Sequence, residues 1–398
     1  MLTVEEALTR VLALARLADT EVLPLSRCLG RVPGVDTVTA PIDVPPFANS
    51  SMDGFAVVSG DWPAELRVVG EVAAGALTLP EVRSGTAVRI MTGAPLPPGA
   101  DSVVPIEDAV ESDGVVRFPE PIAAGSYVRR AGHDTQLGDE VPLATAPLSP
   151  ALLGVLTSLG LTTLAVRRRP VVAILSTGDE LVAPGEPLRP GQIYDANSPA
   201  LGAAASEAGA EPLVLPRAPD VPAEIERRIR EAVATADLLV VSGGVSVGRH
   251  DHVRDTIERL GDLDFWRIAV QPGKPLAFGE IDGRPVVGLP GNPVSALVTF
   301  ELFLRPMLRA MLGLSGDGRQ RVVARVDERI GKDRERRAYL RVRVERTGDG
   351  FTARSAGGQQ SSQLRSMAEA NGLLIVPEGT PAAEAGEPYE VILLGDVA

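Results

Sequence analysis

Between residues 171 and 314, apolar strand-like runs alternate with helical segments, and this pattern limits the fold of the chain more than any other feature. Apolar runs bounded by glycine or proline are typical of strands covered on both faces, and the segments between them repeat apolar residues with helical spacing. Strands are predicted at residues 171–175, 212–215, 238–241, 265–270 and 286–289, and helices at 199–208, 223–234, 253–260 and 294–312. The alternation predicts a doubly wound, mostly parallel α/β sheet.

The flanking segments favour other structures. A capping box of Thr3 and Glu6 starts an N-terminal helix, and Ser149-Pro150 starts another that ends near Gly160. Short β-type runs at 66–69, 87–90 and 115–118 predict a β-rich module over residues 31–141. Runs at 321–326, 373–376 and 389–394, with a hairpin joining 339–346 to 350–354, predict a small C-terminal β domain. The arginine run at 167–169 is interpreted as a solvated hinge.

The composition excludes several classes of protein. A length of 398 residues predicts two to four domains, and 44% hydrophobic with 23% charged residues is typical of a soluble globular protein. The net charge of −13 argues against binding to nucleic acids or anionic membranes, because a basic face is missing. One cysteine, Cys28, and three histidines argue against disulfides and zinc or iron–sulfur centres. The N-terminus resembles neither a signal peptide nor a membrane span, so a cytoplasmic protein is expected.

Three glycine-bearing turns follow three of the predicted strands. In a doubly wound sheet, ligands bind beyond the carboxyl ends of the strands, where backbone N–H groups can hold phosphates and other oxyanions. The sequence therefore predicts an anion site at one edge of the sheet. Its candidate residues are Ser176, Thr177 and Gly178 in the first turn, Ser242, Gly243, Gly244, Ser246 and Gly248 in the second, and Gly291, Asn292 and Ser295 in the third. None of the turns matches a P-loop or a dinucleotide-binding fingerprint.

Lys274 is one of only two lysines among 39 basic residues, and it lies in the segment Gln271-Pro272-Gly273-Lys274. Lysine is a compact point charge on a thin stem and can contact one oxygen in a narrow place, whereas arginine is a broad planar fork. Its position beside the three turns predicts that Lys274 contacts an anion. The adjoining carboxylates Asp179, Glu180 and Asp251 admit two interpretations, helix capping or coordination of Mg²⁺.

The β-rich module carries its own polar clusters, at residues 45–55, 89–95, 99–101 and 130–134. Turn chemistry explains Asn49, Asp53 and Asp134 when each is taken singly. No serine–histidine–aspartate or cysteine–histidine arrangement emerges, so covalent nucleophilic catalysis is not expected.

Together these segments resemble one family, the molybdopterin molybdenumtransferases (MoeA). The similarity is carried, in order over residues 5–310, by PPFANSSMDGFAV, RIMTGAPLPPGAD, RRAGHD, LSTGDELVAPGEPLRPGQIYDAN, SGGVSVGRHD, QPGKPLAFG and GLPGNPVSALVTFE. The C-terminal domain is similar only loosely, through residues 336–341 and 361–362. The resemblance implies an enzyme of molybdenum-cofactor biosynthesis. It would insert molybdate into adenylylated molybdopterin, with loss of AMP and a requirement for Mg²⁺.

The resemblance also implies four domains and an elongated homodimer. The implied domains are residues 1–47 with 142–168, helical and dimer-forming; 48–141, β-rich and inserted; 169–315, the molybdopterin-binding α/β domain; and 316–398, a C-terminal β domain. In such dimers the active cleft lies between the α/β domain of one subunit and the β-rich domain of the other. The implied partners are the pterin and oxyanion substrates and the second subunit, with the upstream adenylyltransferase as a further candidate.

Carried over by motif, the implied functional residues are Asp53, Thr92, Asp134, Glu180, Asp220, Asp251 and Lys274. Asp251 and Glu180 would bind Mg²⁺, and Lys274 with Ser295 would contact molybdate or phosphate. An oxyanion pocket would be completed by Arg336 or Arg341 and by Ser361 or Ser362. The chain departs from the family at two positions, Gln271 and Arg254, where many relatives have lysine. The first departure removes a charge from the implied pocket, and the second changes the geometry of a charge.

The sequence leaves two alternatives open. Residues 169–315 could act alone as the related adenylyltransferase module, which shares the α/β fold and uses ATP; the β-rich domain counts against this. The chain could instead be a non-catalytic dimeric scaffold, although no long linker or second module suits that role.

Overall fold

The structure is a computed structural model that describes residues 1–61, 65–143, 146–244, 252–348 and 350–397. The chain forms two compact units, one of Met1–Thr20 with Arg167–Ala398 and the other of Glu21–Val166, and each is described by itself. Within the described ranges, no helix has both the length and the apolar character needed to cross a membrane.

Helix α1 (Val4–Ala13) begins at the predicted capping box. Thr3 Oγ1 accepts a hydrogen bond from Glu6 N at 3.1 Å, and the Glu6 carboxylate accepts one from Thr3 N at 2.9 Å. The fully buried Ala7 and Val11 pack this helix into the core of the α/β part. The first twenty residues therefore fold with the unit that contains the α/β sheet.

The unit of residues 21–166 is β-rich, as predicted. Its elements are β1 (Thr20–Pro24), β2 (Thr37–Thr39), β3 (Asn49–Ser50), β4 (Gly54–Val57), β5 (Leu66–Val72), β6 (Thr86–Ile90), β7 (Ser102–Pro105), β8 (Val110–Ser112), β9 (Val115–Arg117), β10 (Val128–Arg129), β11 (Glu140–Pro142), α2 (Pro150–Ser158) and β12 (Thr163–Arg167). Its largest sheet has six strands in the order β7-β4-β6-β5-β9-β8. The predicted second helix is confirmed, since Ser149 Oγ caps α2 by accepting a hydrogen bond from Leu152 N at 3.3 Å.

The α/β part of the other unit contains a six-stranded sheet covered on both faces. Its elements are β13 (Val171–Ser176), β14 (Leu181–Val182), β15 (Ile193–Tyr194), α3 (Asn197–Glu207), β16 (Glu211–Val214), α4 (Pro222–Thr235), β17 (Leu238–Ser242), α5 (His252–Leu260), β18 (Asp262–Arg267), β19 (Val270–Gln271), β20 (Pro275–Ile281), β21 (Arg284–Leu289), α6 (Pro293–Thr299) and α7 (Arg305–Met311). The strand order is β16-β13-β17-β21-β20-β18; the first four strands are parallel, and β20 is antiparallel to both of its neighbours. Helix α3 packs on one face, and α4 and α5 pack on the other. The predicted doubly wound sheet is confirmed.

Several local predictions in this part are wrong. No strand was predicted where β20 lies, and the single strand predicted at 265–270 is two strands, of which β19 joins a different sheet. The helix predicted at 294–312 is confirmed in extent, as α6, a π-helical turn (Phe300–Leu304) and α7 in direct succession. In the arginine run, the interpretation as solvated is wrong for Arg168, which forms a bidentate ion pair with Asp237 at 2.8 and 3.0 Å.

The C-terminal part is the predicted β domain. Its elements are β22 (Arg321–Val326), β23 (Ile330–Gly331), β24 (Arg337–Thr347), β25 (Gly350–Ser355), α8 (Leu364–Glu369), β26 (Gly372–Val376), β27 (Ala382–Ala383) and β28 (Pro388–Leu393). The sheet has the order β19-β24-β25-β22-β28-β26, and it closes because β26 also pairs with β24. The predicted hairpin is confirmed as β24–β25. Strand β19 belongs to the preceding α/β segment, so its pairing with β24 ties the two parts together.

A buried charge cluster reinforces this junction. Glu301, 8% exposed, accepts hydrogen bonds from Arg305 Nε at 2.7 Å and from Arg319 Nε at 3.0 Å. Arg319 also donates to Glu207 at 2.8 Å and to the carbonyl of Leu394 at 3.1 Å. Burial alone would lower the pKa of Arg319, but its hydrogen bonds with Glu301 and Glu207 outweigh burial and raise that pKa. Arg319 therefore stays ionised within the cluster.

We predict that Glu301→Ala destabilises this unit by about 3 kcal/mol, because two buried guanidinium groups lose the carboxylate they share. Glu224→Ala is the matched control. Glu224 also pairs with two arginines, Arg227 and Arg228, but on α4 where all three side chains reach solvent, and such pairs contribute little. The unfolding temperature of each variant is compared with that of the wild type by calorimetry. Equal shifts of the unfolding transition would contradict this role of the cluster.

Candidate functional site

The turns that follow β13, β17 and β21 lie side by side. Ser176 at the end of β13 is in register with Ser242 at the end of β17, and Ser242 is in register with Leu289 at the end of β21. One residue further on, Thr177 N donates to Ser242 O at 3.3 Å, and Gly243 N donates to Leu289 O at 3.2 Å. The structure thus brings the described residues of the three predicted turns to one edge of the sheet.

Two of the glycines at this edge are required by the backbone. Gly178 has a φ of +134°, and a Cβ atom there would lie 2.4 Å from Glu180 Oε2. Gly243 has a φ of +92°, and a Cβ atom there would lie 3.1 Å from a carbonyl oxygen of the first turn. The N–H groups of Gly178, Gly291 and Asn292 form no hydrogen bond within the part of the chain that the structure describes. These three donors can therefore serve a ligand.

Two residues without a predicted role, Asp195 and Asn197, hold the turns together. Asn197 Nδ2 donates to Ser242 Oγ and to Gly291 O, both at 2.8 Å, and so bridges the second and third turns. Asp195 Oδ1 accepts from Asn197 N at 3.0 Å and from Ser176 Oγ at 3.3 Å. The signal in the sequence is an Asp-Ala-Asn triplet before a helix. That triplet is typical of a helix start and does not reveal partners distant along the chain.

The acidic residues of the first turn have different surroundings. Asp220 N donates to Asp179 Oδ1 at 3.3 Å, Asp179 N donates to Asp220 Oδ2 at 3.4 Å, and Arg217 pairs with Asp179 at 3.4 Å. Glu180 is exposed, and its carboxylate lies against Gly178. The helix-capping interpretation is wrong for Asp179 and Glu180, because strand β14 and not a helix follows this turn.

The implied Mg²⁺ ligands are only partly described. Asp251 lies outside the described residues, as do Ser246 and Gly248 of the second turn. Among the described residues, no cluster of three or more His, Cys, Asp or Glu side chains could hold a metal ion. Mg²⁺ commonly takes one or two carboxylates and completes its shell with water and substrate phosphates. The carboxylate of Glu180, which has no ion pair in the described part, fits one such ligand.

The segment that carries Lys274 lies against α6, next to the third turn. Gly273 has a φ of +115°, and a Cβ atom there would lie 2.4 Å from Thr299 Cγ2 and 3.7 Å from Ser295 O. Ser295 itself is 4% exposed. Lys274 is exposed, and within the described residues its ammonium has no hydrogen bond or ion pair. Its ammonium is therefore available to a ligand.

Lys332, the second lysine, has a structural role. Its Nζ donates to the carbonyls of Asp333 at 2.9 Å and Arg336 at 2.6 Å, and burial lowers its pKa. In the same loop Arg336 pairs with the Asp333 carboxylate at 2.6 Å, and Gln271 Oε1 accepts from Asp333 N at 2.8 Å. A lysine at position 271 could not accept this hydrogen bond, because an ammonium has no acceptor. Gln271 thus joins the Lys274 segment to the C-terminal part.

The loop of residues 356–363 brings the C-terminal serines to α6. Ser361 O accepts from Val294 N at 3.1 Å, and Ser362 O accepts from Leu364 N at 3.0 Å. The Val294 N–H is therefore occupied, whereas the N–H groups of Gly291 and Asn292 just before it have no partner within the described residues. Arg341 has no exposed surface, so its implied contact with the oxyanion is not supported by its position.

In the β-rich unit, Asp53 and Thr92 form one exposed pair. Asp53 Oδ1 accepts from Thr92 N at 2.6 Å and from Thr92 Oγ1 at 2.8 Å. The backbone hydrogen bond and then the hydroxyl lower the pKa of Asp53, so this carboxylate is ionised at neutral pH. Asp134 is also exposed, and its N–H is bound to Val44 O at 2.9 Å.

We predict that Asn197→Ala weakens anion binding at the sheet edge about tenfold, because two hydrogen bonds that bridge adjacent turns are lost. Calorimetric titration with inorganic pyrophosphate as the probe measures the affinity. Asn371→Ala is the matched control, since the side-chain amide of Asn371 also bridges two acceptors, the carbonyls of Val344 and Asp396, within the C-terminal part. Equal affinity in the wild type and Asn197→Ala would contradict the bridging role.

Three family models match the chain in order. They are the MoeA N-terminal region (domain I and II) at residues 2–160, the "Probable molybdopterin binding domain" at residues 173–310, and the MoeA C-terminal region (domain IV) at residues 323–394. The models therefore span both compact units.

Individual relatives agree with the family models. Molybdopterin molybdenumtransferase 2 of Mycobacterium tuberculosis is 38% identical over 404 aligned positions, which cover 98% of this chain and 99% of the relative. Molybdopterin molybdenumtransferase of Haemophilus influenzae is 41% identical over 317 positions, 79% of this chain and 78% of the relative. The crystal structure of the molybdopterin biosynthesis MoeA protein of Pyrococcus horikoshii is similar with a TM-score of 0.85 and 34% identity, over 100% of both chains. The chain belongs to the molybdopterin molybdenumtransferase (MoeA) family and is a transferase of molybdenum-cofactor biosynthesis.

Proposed function

We propose that this enzyme inserts molybdate into adenylylated molybdopterin and releases AMP in a Mg²⁺-dependent reaction, the final step of cofactor biosynthesis. Both substrates are anions: molybdate is an oxyanion, and the pterin is joined to AMP by a phosphoanhydride. A chain with a net charge of −13 can bind them only where donors are concentrated locally. The edge of the α/β sheet offers such a concentration.

The observation that carries this proposal is that Lys274 is exposed, has no partner for its ammonium within the described residues, and directly follows Gly273, which packs against α6. Lys274 and Ser295 contact molybdate or the pterin phosphate, and Arg336, Ser361 and Ser362 complete the oxyanion pocket. Fixed donors of this kind stabilise the negative charge that develops as the phosphoanhydride breaks. The support for this arrangement is that Gly273 packs against α6 while the loop of Ser361 caps the same helix start.

The three glycine turns bind the pterin–nucleotide substrate in this proposal. Their N–H groups without partners, at Gly178, Gly291 and Asn292, orient the phosphoanhydride, and Asp220 contacts the nucleotide. Glu180 and Asp251 are the proposed Mg²⁺ ligands. The bound Mg²⁺ would neutralise charge on the phosphoanhydride.

The proposal includes a homodimer with a shared cleft. Asp53, Thr92 and Asp134 of one subunit face the sheet edge of the other, and the exposure of all three residues supports this assignment. The enzyme works in the cytoplasm and receives its adenylylated substrate from the upstream adenylyltransferase.

We predict that Lys274→Ala lowers kcat/KM for AMP release about 100-fold, because one fixed donor of the pocket is lost. Lys274→Arg should lower kcat/KM nearly as much as Lys274→Ala, since the planar guanidinium does not fit the place of a single ammonium. Purified enzyme is given adenylylated molybdopterin, molybdate and Mg²⁺, and AMP is quantified by chromatography.

Arg365→Ala is the control for general loss of positive charge, because Arg365 is a highly exposed cation on α8. Its activity should match that of the wild type. Unchanged turnover in Lys274→Ala would overturn the assignment of the site. Consumption of ATP with free molybdopterin, independent of molybdate, would identify an adenylyltransferase instead.

A further inference from the structure

Arg341 is a charged side chain in the interior of the C-terminal part, with neutral groups as its hydrogen-bond acceptors. It is 0% exposed. Its Nε donates to Ser366 Oγ at 3.1 Å, and its Nη2 donates to the carbonyls of Gly358 at 2.7 Å and Gln360 at 3.1 Å. Its Nη1 has no partner within the described residues. Burial lowers the pKa of the guanidinium to about 10, so the group remains charged at neutral pH.

Burying a charged guanidinium among neutral groups costs folding free energy. Apolar residues of similar volume often replace buried ions without loss of stability, so packing alone does not explain an arginine here. The acceptors of the guanidinium lie in the loop of residues 356–363 or just beyond it. We therefore attribute to this guanidinium the role of fixing the conformation of the loop through its hydrogen bonds. The ammonium of lysine could not reach the same three acceptors at once, because it lacks the planar fork.

The same loop is also tied to the backbone of Arg341. Gln359 Oε1 accepts from Arg341 N at 3.0 Å, and Gln359 Nε2 donates to Arg341 O at 2.9 Å. Gln363 Oε1 accepts from Gln360 N at 3.0 Å and closes the loop. Both the backbone and the side chain of Arg341, a single residue of β24, are thus hydrogen-bonded to this loop.

At its far side the loop meets α6. Ser361 O accepts from Val294 N at 3.1 Å, and Ser295 follows Val294 in the helix. Ser361 and Ser362 therefore lie between a loop that Arg341 shapes and the helix start that bears Ser295. A change in the loop would move both serines relative to Ser295.

We propose that Arg341 is a positioning residue for the oxyanion substrate. Through the carbonyls of Gly358 and Gln360 it sets the loop that presents Ser361 and Ser362 beside Ser295, and it does not itself contact the substrate. This inference rests on the proposed function, because molybdate is the substrate whose binding it supports.

Initial rates of AMP release over a range of molybdate concentrations test the inference with Arg341→Lys, Arg341→Met and Ser366→Ala. We expect the KM for molybdate to rise about tenfold in Arg341→Lys, since loss of a supporting hydrogen-bond partner typically weakens ligand binding by this order. The kcat at saturating molybdate should fall less than about threefold, because the groups that contact substrate are still present. Ser366→Ala should change KM in the same direction by a smaller factor. If Arg341→Met does not fold, the other two variants decide.

The matched control is Arg343→Lys, two residues along the same strand and exposed to solvent, which should leave KM and kcat unchanged. A lower thermal stability and lower kcat in Arg341→Lys, with KM for molybdate unchanged, would show a purely structural role and overturn the inference alone. Wild-type enzyme that releases no AMP in response to molybdate would overturn the proposed function and this inference with it.

Discussion

The parallel register of β13, β17 and β21 is the constraint on which the candidate site depends. Alternate residues of these strands face two separate cores: Val172 and Val240 lie in one, and Ala173 and Leu239 lie in the other. A slip of one residue would exchange the two packing surfaces, so burial fixes the register. With the register fixed, the last residues of the strands stand in line, and the turns that follow must meet at one edge. Asn197 then joins two of those turns through a single amide.

The second constraint is the close approach of the Lys274 segment and the C-terminal loop to α6. A side chain at position 273 would collide with Thr299, so the lysine can stand beside the helix only because a glycine precedes it. The pairing of β19 with β24, the Gln271–Asp333 hydrogen bond and the Val294–Ser361 hydrogen bond hold the C-terminal part at the same place. In an acidic protein, these contacts are what concentrate donors where an anion can bind.

Local signals in the sequence were sufficient for much of the fold. The capping box, the proline at the start of α2, the hairpin turn and the apolar strand runs all depend on neighbours in sequence, and the elements they predicted are present. The meeting of the three glycine turns also followed from a general rule for doubly wound sheets. Features fixed by distant partners were missed: β20 pairs with β18 and β21, Arg168 is held by Asp237, and the role of Asn197 depends on residues 45 and 94 positions away. The burial of Arg341 was missed for the same reason, because the sequence around an arginine does not show whether its side chain faces the interior or the solvent.

The central claim is that Lys274 and α6 form one oxyanion pocket. Anomalous diffraction at the molybdenum edge from crystals of this enzyme soaked in molybdate tests it most directly. The account predicts a molybdenum peak within hydrogen-bond distance of Lys274 Nζ, next to Ser295. Peaks confined to other basic side chains at a saturating molybdate concentration, with nothing beside Lys274, would contradict it.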